Sequence, residues 1–209
     1  MYLAAAFLVA MPFFLLVVDY PSVVDPTRKV ALLASHHWSM HAMYLITYVV
    51  FGIVLAVLVL ALHERLRSEA PALTRITTTV GLMWALMLVA SGMVFNAGMA
   101  AVVDLYPKHS GQAVATWQAI EPVAQGLGGS GGELFGGLWV QLVSYVGLRG
   151  RRLPRSLSWL GLAVGIVGLI SVVPPLSAAG IAFGLLLIIW LIWLGIVLLR
   201  TESRDWSTP

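Results

Sequence analysis

Apolar residues run along this chain in long blocks rather than in short stripes. A bilayer core about 30 Å thick needs about 20 apolar residues of helix, each rising about 1.5 Å. Six blocks approach that length: residues 1–18, 38–62, 76–103, 126–148, 157–173 and 179–199. Polar punctuation separates them, with Asp19 after the first, His63-Glu64-Arg65 after the second, Asp104 after the third and Pro174-Pro175 after the fifth. The pattern predicts an all-α, polytopic transmembrane helix bundle of six spans forming a single domain. The fourth block is the awkward one. Leu134 to Leu148 is only 15 residues, about 22 Å of helix. To cross, the span must begin near Gly126 and carry Glu133 with it.

Composition agrees with the blocks. The 209 residues are 60% hydrophobic and 10% charged, against about 45–50% and about 25% in soluble domains. That excludes a soluble globular domain, a disordered tail and a nucleic-acid module. Cysteine is absent, which removes disulfides, thiolate metal sites and cysteine nucleophiles. Met1 opens directly on apolar residues without a basic leader, so the first block reads as a retained helix and not a signal peptide.

The net charge of +3 is a matter of loops. If successive connections alternate sides, one side receives Arg65, Arg67, Arg75, Arg149, Arg151, Arg152, Arg155, Arg200 and Arg204, and the other Arg28, Lys29 and Lys108. The positive-inside rule puts the first set in the cytoplasm, with both termini. This predicts a multi-pass protein of the inner (plasma) membrane whose first partner is the lipid bilayer. The longer connections, 19–37 and 104–125, then lie outside, where function is expected.

Candidate chemistry gathers on that outer side. His36, His37, His41 and His109 lie there, with Asp19, Asp25, Asp104, Glu121 and Glu133. Helical rise places His41 about 31 Å above Leu62, Asn96 about 30 Å above Ile76 and Glu133 about 22 Å above Leu148, so three helices bring polar groups to similar depth. His37, His41, Tyr44, Tyr48 and Gly52 form one helical stripe that should face the bundle. An i, i+4 histidine pair can present two imidazoles to one metal ion, and Met40 and Met43 nearby suit copper(I). The same residues also suit plain packing at a membrane interface. Glu133 is the most informative position, because a carboxylate within hydrocarbon costs about 2.5–3.5 kcal/mol at the centre and marks a ligand, proton or metal site. Glu121, with Trp117, reads as part of a surface helix lying on the membrane.

Residues 126–137 hold seven glycines. The formal GxGxxG at 126–131 lacks a preceding strand and is rejected as a nucleotide site. Gly128, Gly132 and Gly136 form a ridge that lets another helix approach, in this chain, a second copy or a partner membrane subunit. A broken helix with exposed amides at a ligand site is the sharper alternative. Met83, Trp84 and Met87 read as core filler, and Trp190 and Trp193 as deep packing.

Glu133-Leu-Phe-Gly-Gly-Leu-Trp139, Arg152-Leu-Pro-Arg-Ser-Leu-Ser-Trp-Leu-Gly-Leu162 and Trp190-Leu-Ile-Trp-Leu-Gly-Ile-Val-Leu-Leu199 resemble a group of small six-helix bacterial membrane proteins of unknown function. The resemblance lies mainly in residues 131–200. It implies a helical fold and a bacterial membrane location, and no chemistry.

Three function classes stay open. The first is an outer-face site for a metal ion (zinc or copper) or haem, with His37, His41 and Glu133 as ligands and Tyr44, Tyr48 and Asn96 beside the cofactor. The second is a non-enzymatic accessory or scaffold subunit joined through the glycine ridge. The third is a small-molecule or proton-coupled carrier that uses Glu133. No internal repeat supports the third.

Overall fold

Proline and one acid set helix starts in the first part of the chain. The computed structural model describes residues 1–68, 70–176 and 178–205, the side-chain surroundings of residues 130, 131 and 201–205 excepted. The surroundings of Gly131 in the glycine-rich stretch and of Arg204 in the charge count thus lie outside that description. Every regular element among the described residues is a helix. Helix α1 (Tyr2–Pro12) widens after Pro12 into a π-helical stretch, Phe13–Val17. The Asp25 carboxylate then accepts from the Arg28 amide at 2.8 Å, and with Pro26 in the first turn it starts α2 (Pro26–Ser35). Helix α3 (His37–Tyr44) passes through a second π-helical stretch, Leu45–Val50, into α4 (Phe51–Leu66). Pro71 opens α5 (Pro71–Leu105), about 52 Å long.

Helices α6 (Ser110–Gly128) and α7 (Ser130–Gly150) return along α5 one after the other. Gly98 meets Ile120, and Ser91 Oγ donates to the Ala124 carbonyl at 2.8 Å, so α6 follows the later half of α5. Gly81 meets Trp139, so α7 follows the earlier half. Helices α8 (Arg155–Ser171) and α9 (Ala179–Asp205) complete the bundle, with α8 on α7 and α9 on α8 and α1. The α7–α8 crossing needs glycine: a Cβ on Gly137 would stand 2.9 Å from the Gly165 carbonyl and 3.1 Å from the Gly168 Cα.

Two apolar cores follow. One holds Leu55, Val59, Trp84, Trp139, Val143, Leu187 and Trp190; the other holds Tyr20, Met40, Tyr44, Phe95, Met99 and Trp117. Helix α5 runs through both. Trp84 and Trp190 are buried, but Met83 faces outward and Trp193 is partly exposed, so of the expected packing residues only the first pair serves the core. Among the described residues, three helices are long and apolar enough to cross a membrane: His37–Leu66, Pro71–Leu105 and Ala179–Arg200. Tyr2–Val17 and Arg155–Ser171 are shorter apolar helices. The chain is that of a helical membrane protein.

Candidate functional site

The return path along α5 breaks at Gly129, and the break shapes the site. Gly129 leaves helical geometry, with φ −83° and ψ −113°. Its amide closes α6 on the Gln125 carbonyl at 2.8 Å, and its carbonyl opens α7 by accepting from the Glu133 amide at 3.0 Å. Glu133 therefore sits in the first turn of α7, where the positive end of the helix stabilises a carboxylate. The Ser171 hydroxyl at the end of α8 approaches Glu133 Oε2 at 2.7 Å and the Gly168 carbonyl at 2.8 Å. On the far side, a Cβ on Gly180 would overlap the Glu133 carboxylate, so the bare α9 backbone makes room for it.

Glu133 opens onto a cavity of about 380 Å³. Its walls come from α1 and the π stretch after it (Phe7, Phe14), the α3–α4 segment (Thr47, Tyr48, Phe51), α5 (Trp84, Leu88), the Gly128–Gly132 break and α9 (Gly180, Phe183, Gly184). Three of these contributors depart from α-helix at the cavity. Phe14 and Leu15 lie in the first π stretch, Thr47 and Tyr48 in the second, and Gly129 in the break. Such irregular turns recur at functional sites, because they open the wall of a helix that would otherwise be closed. The Thr47 hydroxyl already donates to the Met43 carbonyl at 2.6 Å. Among the described lining residues Glu133 is the single acid, and none is Lys, Arg or His.

The residues expected to form one site fall into separate groups. Tyr48 and Glu133 line the same cavity. Tyr44 stacks on Phe95 with ring centroids 4.4 Å apart and faces α5, as does Tyr48, which meets Gly92. His37 and His41 stay together on α3, rings 6.2 Å apart, and His37 Nε2 is buried without a partner. His41 precedes Tyr48 by seven residues, about 10 Å of helix, and neither histidine lines the cavity that holds Glu133. Asn96 is buried on α5 with both side-chain polar atoms unpaired, also away from the cavity. Among the described residues no group of three His, Asp or Glu is placed to hold a metal ion. The glycine ridge meets its own chain, Gly128 against Ser91 and Tyr48, and Gly136 against Trp84 and Phe183.

A second polar cluster escaped the sequence. Trp117 Nε1 donates to the Tyr20 hydroxyl at 3.2 Å, and that hydroxyl donates to Glu121 Oε1 at 2.8 Å. Lys29 pairs with the same oxygen at 2.8 Å and lies over the Tyr20 ring. Burial, and then the Glu121 carboxylate, push the Tyr20 phenol far above its ordinary range. Trp117 is buried and α6 packs on α5 and α2, so this segment is not the surface helix that its composition suggested. Trp117 and Glu121 share a helix face, but nothing local points to Tyr20 or Lys29, about a hundred residues earlier.

Two of the three comparisons with known proteins give nothing: no curated protein and no solved structure matches. The model of a family described as a domain of unknown function (DUF4386) matches residues 1–199, through both halves of the chain. With nearly its whole length covered, the chain belongs to that family of unknown function.

Proposed function

We propose that this protein crosses the inner membrane six times with both termini in the cytoplasm, and that it carries a small lipophilic molecule in the cavity at Glu133 under control of that carboxyl's proton. The cavity carries the reading: about 380 Å³ of space walled mainly by apolar side chains around one acid. Ligand sites have this character, apolar with a few convergent polar groups, and volumes of about 300–1,000 Å³. An acid on a membrane helix marks such sites. Its rim includes Leu15 and Ile181, 40% and 58% exposed. In a bilayer these face acyl chains, so entry is from the lipid.

Proton counting supports the control. A serine hydroxyl has one proton, yet Ser171 has two acceptors in reach, Glu133 Oε2 and the Gly168 carbonyl. With Glu133 ionised, only one of the two contacts holds a hydrogen. With Glu133 protonated, the carboxyl donates to Ser171 Oγ and Ser171 donates to Gly168, so both contacts are satisfied. Tyr48 is the other titratable side chain on the cavity wall. The nine arginines counted on one side support the orientation.

The test is saturable binding of two fluorescent lipophilic probes, uncharged N-phenyl-1-naphthylamine and cationic 1-(4-trimethylammoniumphenyl)-6-phenyl-1,3,5-hexatriene, to the full chain in lipid nanodiscs, with empty discs subtracted. A Cβ on Gly184 meets only the Met11 methyl at 3.8 Å, so Gly184→Leu can enter the cavity without disrupting the fold. Saturable binding that Gly184→Leu removes, with a pH dependence that Glu133→Gln removes, is expected. Wild-type signal no greater than that of empty discs overturns the reading.

The metal reading rests on a separate observation, the unpartnered His37 Nε2 one turn from His41. A third ligand would have to come from a molecule other than this chain's described residues, or from water. Metal analysis of the purified protein against His37→Ala and His41→Ala tests it; no bound metal in the wild type removes it.

A further inference from the structure

The lining of the cavity is selective in charge as well as in shape. Phe7, Phe14, Tyr48, Phe51, Trp84 and Phe183 give it six aromatic side chains, and Glu133 gives it one carboxylate. That carboxylate has a serine hydroxyl beside it, and no cationic side chain is among the described residues that line the same space. The start of α7 offsets only about half a charge. The hydroxyl of Thr47 has spent its proton on Met43, and that of Ser171 has Glu133 and Gly168 to serve. Apart from the Tyr48 hydroxyl and the Trp84 indole N–H, what the side chains offer a ligand is therefore acceptor oxygens and the negative faces of aromatic rings. Both attract a cation, and cages of aromatic faces are the recurrent means of binding substituted ammonium groups. An anion would meet the carboxylate, and an uncharged ligand would gain nothing from its charge.

We infer that the molecule taken by this cavity is a lipophilic organic cation, a tertiary or quaternary ammonium with an apolar body. Its charged nitrogen lies between Glu133 and the ring of Tyr48, and its apolar part among Phe7, Phe14 and Phe51. The inference rests on the cavity being a ligand site, and it adds the class of ligand. It also gives the proton its role. A proton on Glu133 and an ammonium in the cavity compensate the same single charge, so loading one releases the other.

The experiment uses three probes of nearly one shape. Benzyltrimethylammonium is the cation, neopentylbenzene is its uncharged carbon isostere, and phenylmethanesulfonate is an anion of similar size. Binding of each is measured by equilibrium dialysis against the full chain in nanodiscs, for the wild type, Glu133→Gln and Gly184→Leu. Glu133→Gln keeps the side-chain length and an oxygen for Ser171, and its folding is checked by gel filtration. The expected result is that the cation binds at least tenfold more tightly than the isostere, the anion does not bind, and Glu133→Gln removes the preference. If the isostere binds as well as the cation, and Gly184→Leu abolishes both, the charge selectivity is wrong while the site survives. If no probe binds above empty discs, the selectivity and the site fall together.

Discussion

Gly180→Ala isolates the contact between Glu133 and Ser171. A Cβ there would stand 2.9 Å from Glu133 Cδ and 3.0 Å from Oε2, closer than nonbonded atoms tolerate. The obstacle is the tip of a flexible side chain beside an open cavity, so the carboxylate can swing inward and the backbone need not move. The swing costs the Ser171 hydrogen bond. A bond to a charged group contributes about 1.5–3 kcal/mol. Replacing glycine by alanine within a helix returns at most about 1 kcal/mol. The net expectation is a destabilisation of roughly 0.5–2 kcal/mol, read from thermal unfolding in mild detergent. A double-mutant cycle with Ser171→Ala gives the sharper readout. Once the carboxylate has left, losing the serine costs at least about 1 kcal/mol less than it does in the wild type. Additive effects, within about 0.5 kcal/mol, would show that Gly180 does not act through this contact and that the described carboxylate position is wrong.

Tyr20 makes the cluster with Trp117, Glu121 and Lys29 sensitive to alkali. Its phenol is held protonated by burial and by Glu121, so its folded value lies above the unfolded one of about 10. The stability it supplies is complete below about pH 10 and is lost as pH rises beyond that. Hydrogen exchange in α2 and α6 should accelerate there in the wild type and show no such step in Tyr20→Phe. At the α7–α8 crossing, Gly137→Ala presses on backbone atoms that cannot rotate away, and it should cost about 1–3 kcal/mol. Gly111→Ala, where nothing lies within 4 Å, should instead stabilise α6 by a few tenths up to about 1 kcal/mol; equal effects at the two positions would contradict the close approach.

The parts of this fold legible in the sequence are those governed by local patterns. Apolar block lengths announced the long helices, but the helix starts at Pro26 and Pro71 did not stand out, because 19–37 read as a connection and the third block as beginning at Ile76; the glycines after Gln125 read first as a packing ridge and only second as a break. The importance of Glu133 was legible from the cost of a carboxylate in an apolar block. Its neighbours were not, because Ser171 and Gly180 belong to helices whose register no local signal sets. Depth estimates from helical rise brought His41, Asn96 and Glu133 to similar heights, but equal height is not proximity. Neither His41 nor Asn96 lines the cavity at Glu133, whose wall the chain after His41 joins only at Thr47 and Tyr48, in the π stretch. Trp117 illustrates the opposite error. Amphipathic composition suggested contact with the membrane surface, yet its polar edge is answered by Tyr20 from far along the chain.

The most direct measurement is the reaction of Glu133 with dicyclohexylcarbodiimide, which partitions into lipid and modifies protonated carboxyls in apolar surroundings. Peptide mass analysis of the protein labelled in membranes should find the adduct at Glu133. It should be suppressed in Gly184→Leu, and absent from Glu121, which is engaged by Lys29 and Tyr20. A water-soluble carbodiimide should leave Glu133 unmodified. An unlabelled Glu133 in folded protein that becomes labelled on denaturation would mean that no lipid-accessible cavity reaches this carboxyl.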